Sequence, residues 1–238
     1  MNPFTAIYRK ELSGYFYSLT AYVFIIVFLT VAMWLTFSNL FLVGQTSMRG
    51  FFGLLPWFYL FLIPALTRRL WAEERRQGTA ELLLTLPLPE WQAVAAKWAA
   101  AVTFLAVVLA FSLPLPLTLS RIGPLDWGPV AGGYLGALLL GAAYLAVGQF
   151  VSATTENQIL AFILALVVCL GLYGIGAESF AGLFSDRTAA ALRAIGTSSR
   201  FESVARGVVD LRDLVYYASL CLFFLAACVM AVRARRWT

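Results

Sequence analysis

Six stretches of the chain are predominantly apolar, at about 20–43, 51–67, 99–119, 130–151, 157–176 and 214–232, and none of them holds an Asp, Glu, Lys or Arg. A helix needs about 20 such residues to cross the hydrocarbon core of a bilayer. Backbone amides cannot be left unpaired in hydrocarbon, so each stretch predicts a helix. A membrane β-barrel would instead show alternating polar and apolar positions in runs of about ten, a pattern this chain lacks. The predicted fold class is all-α integral membrane: six transmembrane helices, preceded by an N-terminal amphipathic interfacial helix, with short outer helices before the last span.

The first predicted span does not resemble a cleavable leader, because its apolar core from Tyr22 to Leu35 is long and no small-residue cleavage site follows. Ahead of it, Phe4, Ile7, Tyr8, Leu12, Tyr15, Phe16 and Leu19 recur at helical spacing, with Arg9, Lys10 and Ser13 between them. That stripe predicts an amphipathic helix over 1–19, suited to the headgroup plane. Basic residues cluster at the ends of alternate spans: Arg9, Lys10, Arg68, Arg69, Arg75, Arg76, Lys97, Arg233, Arg235 and Arg236. The other seven of the 17 Lys and Arg fall on the opposite side, five of them in the long segment 177–213. Positive charge flanking the spans marks the inside, so both termini are expected in the cytoplasm.

Local signals set the helix ends. Thr155-Glu156-Asn157-Gln158 fits a capping box for the fifth span, and Ser199-Arg200-Phe201-Glu202 fits one for a short outer helix that Gly207 ends. Asp210 is placed to cap the last span. Pro56 and Pro64 in the second span, and Pro114 and Pro116 in the third, predict bends; Pro124 and Pro129 punctuate the loop that follows. The fourth span offers two rows of small residues, Gly132 with Gly136, and Gly133 with Ala137 and Gly141. Such rows let backbones approach closely, although Gly is common in membrane helices in any case.

Composition narrows the function. The chain of 238 residues is 61% hydrophobic and 12% charged, and suits a single membrane domain over 1–238. It has no His, which removes the usual base of a serine or cysteine nucleophile. Cys169, Cys221 and Cys228 lie in apolar runs with no metal-ligand spacing, so no metal site is expected. The net charge of +5 sits at span ends rather than on a basic soluble face, which argues against nucleic acid. There is no GxxxxGK[ST] loop to cradle ATP phosphates, and no acid or base within the apolar stretches to couple an ion gradient. The energy source must lie in another chain.

The densest segment is 68–98, RRLWAEERRQGTAELLLTLPLPEWQAVAAKW, the only sizeable loop on the inner side. Glu73, Glu74, Arg75 and Arg76 come first, Gly78 breaks the helix, and Thr79 is placed to cap a new one. That helix carries Leu82, Leu83, Leu84 and Leu86 and stops at Pro87 and Pro89. A short apolar knob that cannot span fits a groove in a soluble partner, since exposed apolar clusters mark interfaces.

These residues carry a resemblance. Glu74-Arg75, Gly78-Thr79, Leu82-Leu83, Pro87 and Lys97 resemble the pattern after the second span of ABC-2 type permeases, the membrane subunits of ABC transporters. Residues 9–24 and 201–225 resemble the gliding-motility-associated and copper-enzyme-maturation branch. The resemblance implies a permease subunit of an ATP-driven exporter in a bacterial inner membrane. It implies a coupling helix, carried by the 68–98 loop, that docks on a separate ATPase supplied in two copies. ATP and magnesium would be bound there and no cofactor in this chain. Glu73, Glu74, Arg75 and Arg76 would then rim the docking site, Leu82 and Leu83 would anchor it, and Thr155 and Glu156 in the loop 152–158 would add a second contact. It further implies a second permease subunit, identical or related, and for this branch an auxiliary protein with a domain outside the membrane that 177–213 could receive. Membrane lipid is the remaining partner. An intramembrane enzyme is disfavoured by the missing His, whereas a mechanotransmitting subunit that translocates nothing shares the same ATPase contact.

Overall fold

The computed structural model describes residues 3–43, 46–78, 89–182, 186–208 and 210–234. Every regular element among them is an α-helix: α1 (Pro3–Phe16), α2 (Leu19–Val43), α3 (Arg49–Thr67), α4 (Ala72–Arg76), α5 (Glu90–Ala110), α6 (Pro114–Ile122), α7 (Trp127–Thr154), α8 (Gln158–Gly176), α9 (Glu178–Ala181), α10 (Asp186–Ile195), α11 (Thr197–Ala205) and α12 (Leu211–Ala234). Six units are long and apolar enough to cross a membrane: α2, α3, α5 with α6, α7, α8 and α12. Apolar side chains such as Ile26, Trp34, Ile163, Val167, Leu222 and Phe223 stand exposed on α2, α8 and α12. Lipid is the solvent that accommodates them.

The fourth span, α7, is the axis of the bundle. It packs against α3, α5, α8, α11 and α12, and nearly every residue from Leu140 to Ala153 is buried. The small residues make this possible, and the two rows face different neighbours. A methyl group on Gly133 would strike the Phe52 ring of α3, and one on Gly141 would strike Leu105 of α5. On the other row, Gly132 meets the Val204 carbonyl and lies close to Gly207, while Gly136 meets the Val204 side chain at 3.2 Å. Ala137 is fully buried. Gly148, outside both predicted rows, gives way to Thr67 of α3.

The third span is broken rather than merely bent. Pro114 and Pro116 lack the N–H groups that the carbonyls of Ala110 and Ser112 would otherwise accept. Leu113 N–H and Leu115 N–H donate to those two oxygens instead, at 3.1 and 3.0 Å. The Ser112 hydroxyl donates to the Leu109 carbonyl at 2.7 Å and lies 2.9 Å from the Tyr134 hydroxyl. Pro56 and Pro64 lie inside α3 without interrupting it.

Two expected caps are displaced. Asn157, not Thr155, caps α8, its side chain accepting from Ile159 N and Leu160 N. An Asn at this position reaches the free N–H groups directly, while Thr155 accepts from Asn157 N at 3.2 Å and shapes the turn before it. The helix expected from Ser199 begins at Thr197, after Gly196, and Ser199 donates to the Arg193 carbonyl at 2.6 Å. Gly207 ends it as expected, with φ +90°. Asp210 caps α12, accepting from Arg212 N at 3.0 Å. The segment before the last span is therefore a layer of three short helices, α9 to α11, laid against α7 and α8. It is tied down by Tyr144 on Thr197 (2.8 Å) and Tyr217 on the Thr197 carbonyl (3.1 Å). Arg200 pairs with buried Asp213 at 2.9 Å.

The two rows of α7 predict unequal tolerance to a methyl group. Gly132→Ala meets backbone that cannot rotate away, whereas Gly141→Ala meets the flexible end of Leu105. Gly132→Ala is expected to cost about 1–3 kcal/mol and Gly141→Ala less, compared by thermal unfolding of the detergent-purified chain.

Candidate functional site

A buried lysine organises one end of the bundle. α5 begins at Glu90, so Lys97 lies well inside the helix, and only 1% of its side chain is exposed. The apolar stretch expected from 99 thus continues a helix that starts earlier and carries this charge ahead of it. An ammonium group in so dry a place is costly unless paired. Its Nζ is 2.8 Å from Glu11 Oε1 of α1 and 2.9 Å from Glu74 Oε1 of α4, and it donates to the Leu70 carbonyl at 2.9 Å. It also lies 4.9 Å from the centre of the buried Trp71 ring. Lys10 closes the cluster, 3.1 Å from Glu74 and 4.0 Å from Glu11. Partial burial works against the charged form of Lys10, but Glu74, with Glu11 behind it, outweighs that and holds its pKa above the ordinary lysine value.

The cluster binds three chain segments into one unit. α1 lies along α5, with Tyr15 stacked on Phe104 at 5.0 Å and the Tyr8 hydroxyl donating to Thr103 at 3.0 Å. The stripe expected to face headgroups is thus largely covered by protein: Ile7 and Tyr15 are buried, and Phe4, Leu12 and Phe16 pack beside them. Arg69 stitches α1 to the turn before α4, donating to Ser18 Oγ and the Gly14 carbonyl, both at 3.2 Å.

A serine holds that turn against the central helix. Ser152 of α7 is buried, accepts from Trp71 N at 3.1 Å and Ala72 N at 3.2 Å, and donates to the Arg68 carbonyl at 3.1 Å. It satisfies amides that the start of a five-residue helix would otherwise leave open. Nearby, Gln149 donates to the Val94 carbonyl at 3.0 Å, joining α7 to α5. Gln158, at the start of α8, donates to Glu73 Oε2.

The residues predicted to couple therefore differ in where they lie. Glu73 and Glu74 turn inward: Glu73 accepts from Arg76 at 3.2 Å as well as from Gln158, and Glu74 holds the two lysines. Arg76 and Gly78 stand exposed at the tip, where Gly78 takes φ +69° and ends the turn after α4, as a residue without Cβ readily does. Thr79, Leu82 and Leu83 lie outside the described residues. Arg75 is half-buried. Thr155 and Glu156 lie in the α7–α8 turn, beside Asn157, and Glu156 and Asn157 are exposed. Residues 68–78 of the predicted contact loop 68–98 and the second predicted loop, 152–158, are thus neighbours at one end, joined through Ser152 and Gln158. The sequence reading missed Lys97, Glu11 and Ser152 as organising residues. No local signal marks them, because the groups they meet are distant in sequence.

This arrangement contains no catalytic constellation: the cluster is a set of mutually neutralised charges. It is the scaffold of a loop on a multi-pass helical membrane protein. A family model described as ABC-2 family transporter protein matches residues 61–192, just over half the chain and including this loop. The chain belongs to that family and is a membrane subunit of the transport class. No curated protein matches it.

Lys97→Met leaves two largely buried carboxylates with only the exposed Lys10 as cation and is expected to destabilise the chain by about 3–5 kcal/mol. Lys10→Met removes a largely exposed partner and is expected to cost no more than about 1 kcal/mol. Ser152→Ala leaves two buried N–H groups unpaired and is expected to cost about 1–3 kcal/mol. Thermal unfolding of the purified chain orders the three variants.

Proposed function

We propose that the chain is the permease half of an ATP-driven exporter and that the α4 end faces the cytoplasm and receives a separate ATPase subunit. The observation that carries this reading is the union of two loops at that end. Residues 68–78 are pinned to Ser152 and Gln158 on one side and to Lys97 on the other, so a push on the loop reaches α1, α5, α7 and α8 together. A loop anchored this firmly transmits displacement instead of absorbing it.

In this mechanism the ATPase binds ATP and magnesium, and its closure moves the segment that begins at α4. Leu82 and Leu83 anchor the contact, Arg75, Arg76, Gly78 and Thr79 border it, and Thr155 and Glu156 touch it from the neighbouring turn. Glu73 and Glu74 act from within, holding α4 in place. A second permease, identical or related, completes the pathway. The resemblance to the gliding-motility-associated and copper-enzyme-maturation branch supports an auxiliary protein seated on the α9–α11 layer, on the outer side of a bacterial inner membrane.

Purification of the full chain from its native membrane, with identification of every retained protein, tests the reading. The expected result is a subunit carrying a GxxxxGK[ST] loop. Buried interface anchors typically contribute at least about 2 kcal/mol, so Leu82→Asp with Leu83→Asp is expected to abolish its retention while the chain still inserts. Undiminished retention would show that the anchor is elsewhere.

A further inference from the structure

Charge at the α4 end is sorted by depth. Glu11, Glu73, Glu74 and Glu90 keep only between 11% and 24% of their side-chain surface exposed. Their partners divide. Lys97 is buried with them, but Lys10 (67%), Arg76 (68%) and Arg233 (63%) remain open to solvent. Arg9 is exposed as well, and Glu156 is the acidic exception. In sequence the charges of Ala72–Arg76 cancel; in space both carboxylates face the bundle, Arg75 is half-buried and Arg76 faces out. A surface of that kind attracts and orients a partner of opposite sign.

We infer that the α4 end docks on an acidic protein surface, with Arg76 at the contact. The inference rests on the permease reading and adds to it the chemistry of the partner: the ATPase groove that receives this loop carries carboxylates around its apolar floor. Two observations favour a protein over lipid headgroups as the occupant. Arg76 is at the tip of α4, six residues before Leu82 in the sequence, and α4 sits against the ends of α7 and α8. The neighbouring turn also presents the acidic Glu156 and the neutral Asn157, a mixed polar face that suits a protein better than an anionic bilayer.

The experiment uses full-length chain with its co-purified ATPase, reconstituted into phosphatidylcholine vesicles with and without phosphatidylglycerol. Arg76→Gln and Arg76→Glu are compared with the unaltered chain for ATPase retention at low and high salt. Both variants keep the thermal midpoint of the parent if the exposed arginine has no structural role. Retention by the parent is expected to fall as salt rises, with Arg76→Gln weakened and Arg76→Glu weakened further, by about tenfold at low salt, the pattern of an electrostatic rim contact. Retention that ignores both salt and Arg76→Glu overturns the acidic surface while leaving the permease reading intact. A charge effect seen only with phosphatidylglycerol present also overturns it, since the cations then read the membrane. Absence of any ATPase on the unaltered chain removes the permease reading itself.

Discussion

A cation held out of water sets the terms for one whole end of this protein. Lys97 is almost completely covered, and its charge is tolerable only because carboxylates from two other helices meet it within 3 Å. That requirement fixes where α1 and α4 lie. It brings the first helix of the chain against the third span, and it turns the acidic residues of the loop toward the interior. The exposed arginine at the tip, the neutral interior and the rigid mounting of the loop all descend from this one placement.

The spans were legible because hydrocarbon imposes a simple demand on composition, and every apolar stretch of sufficient length became a helix. The small-residue rows of α7 were legible too, since a close approach needs small side chains whichever neighbour fills the space. Lys97 was not. An apolar-window reading ends a span at the first charge, and it cannot register that Glu11 and Glu74, distant in sequence, return to neutralise it. The caps failed for a smaller reason of the same kind: Thr155 and Asn157 are both good capping residues, and only the path of the chain decides which one reaches the open amides. Ser152 carries no sequence signal at all, because a serine at the end of an apolar run looks like any other.

The central helix shows how the two ends are related. α7 carries Ser152 and Gln149 near one terminus, and Gly132 and Gly136 near the other. The first pair holds the α4 turn and α5, while the second receives α11 of the opposite layer. Contacts at both ends therefore bear on one continuous rod of 28 residues. The layer is fastened to its neighbours by Tyr144, Tyr217 and the Arg200–Asp213 pair, so α7 and α12 share its load.

The break between α5 and α6 has a bearing on bilayer energetics. A spanning helix usually resists flexing because any opened turn exposes a carbonyl to acyl chains, at a cost of several kcal/mol per group. Here the prolines have already removed the two donors, and the shorter bonds from Leu113 and Leu115 supply substitutes from within the joint. A change of angle at Phe111–Leu113 sacrifices no regular α-helical bond spanning the joint at those two oxygens. The third span is thus two linked helices, one bearing the lysine and the other beginning at Pro114.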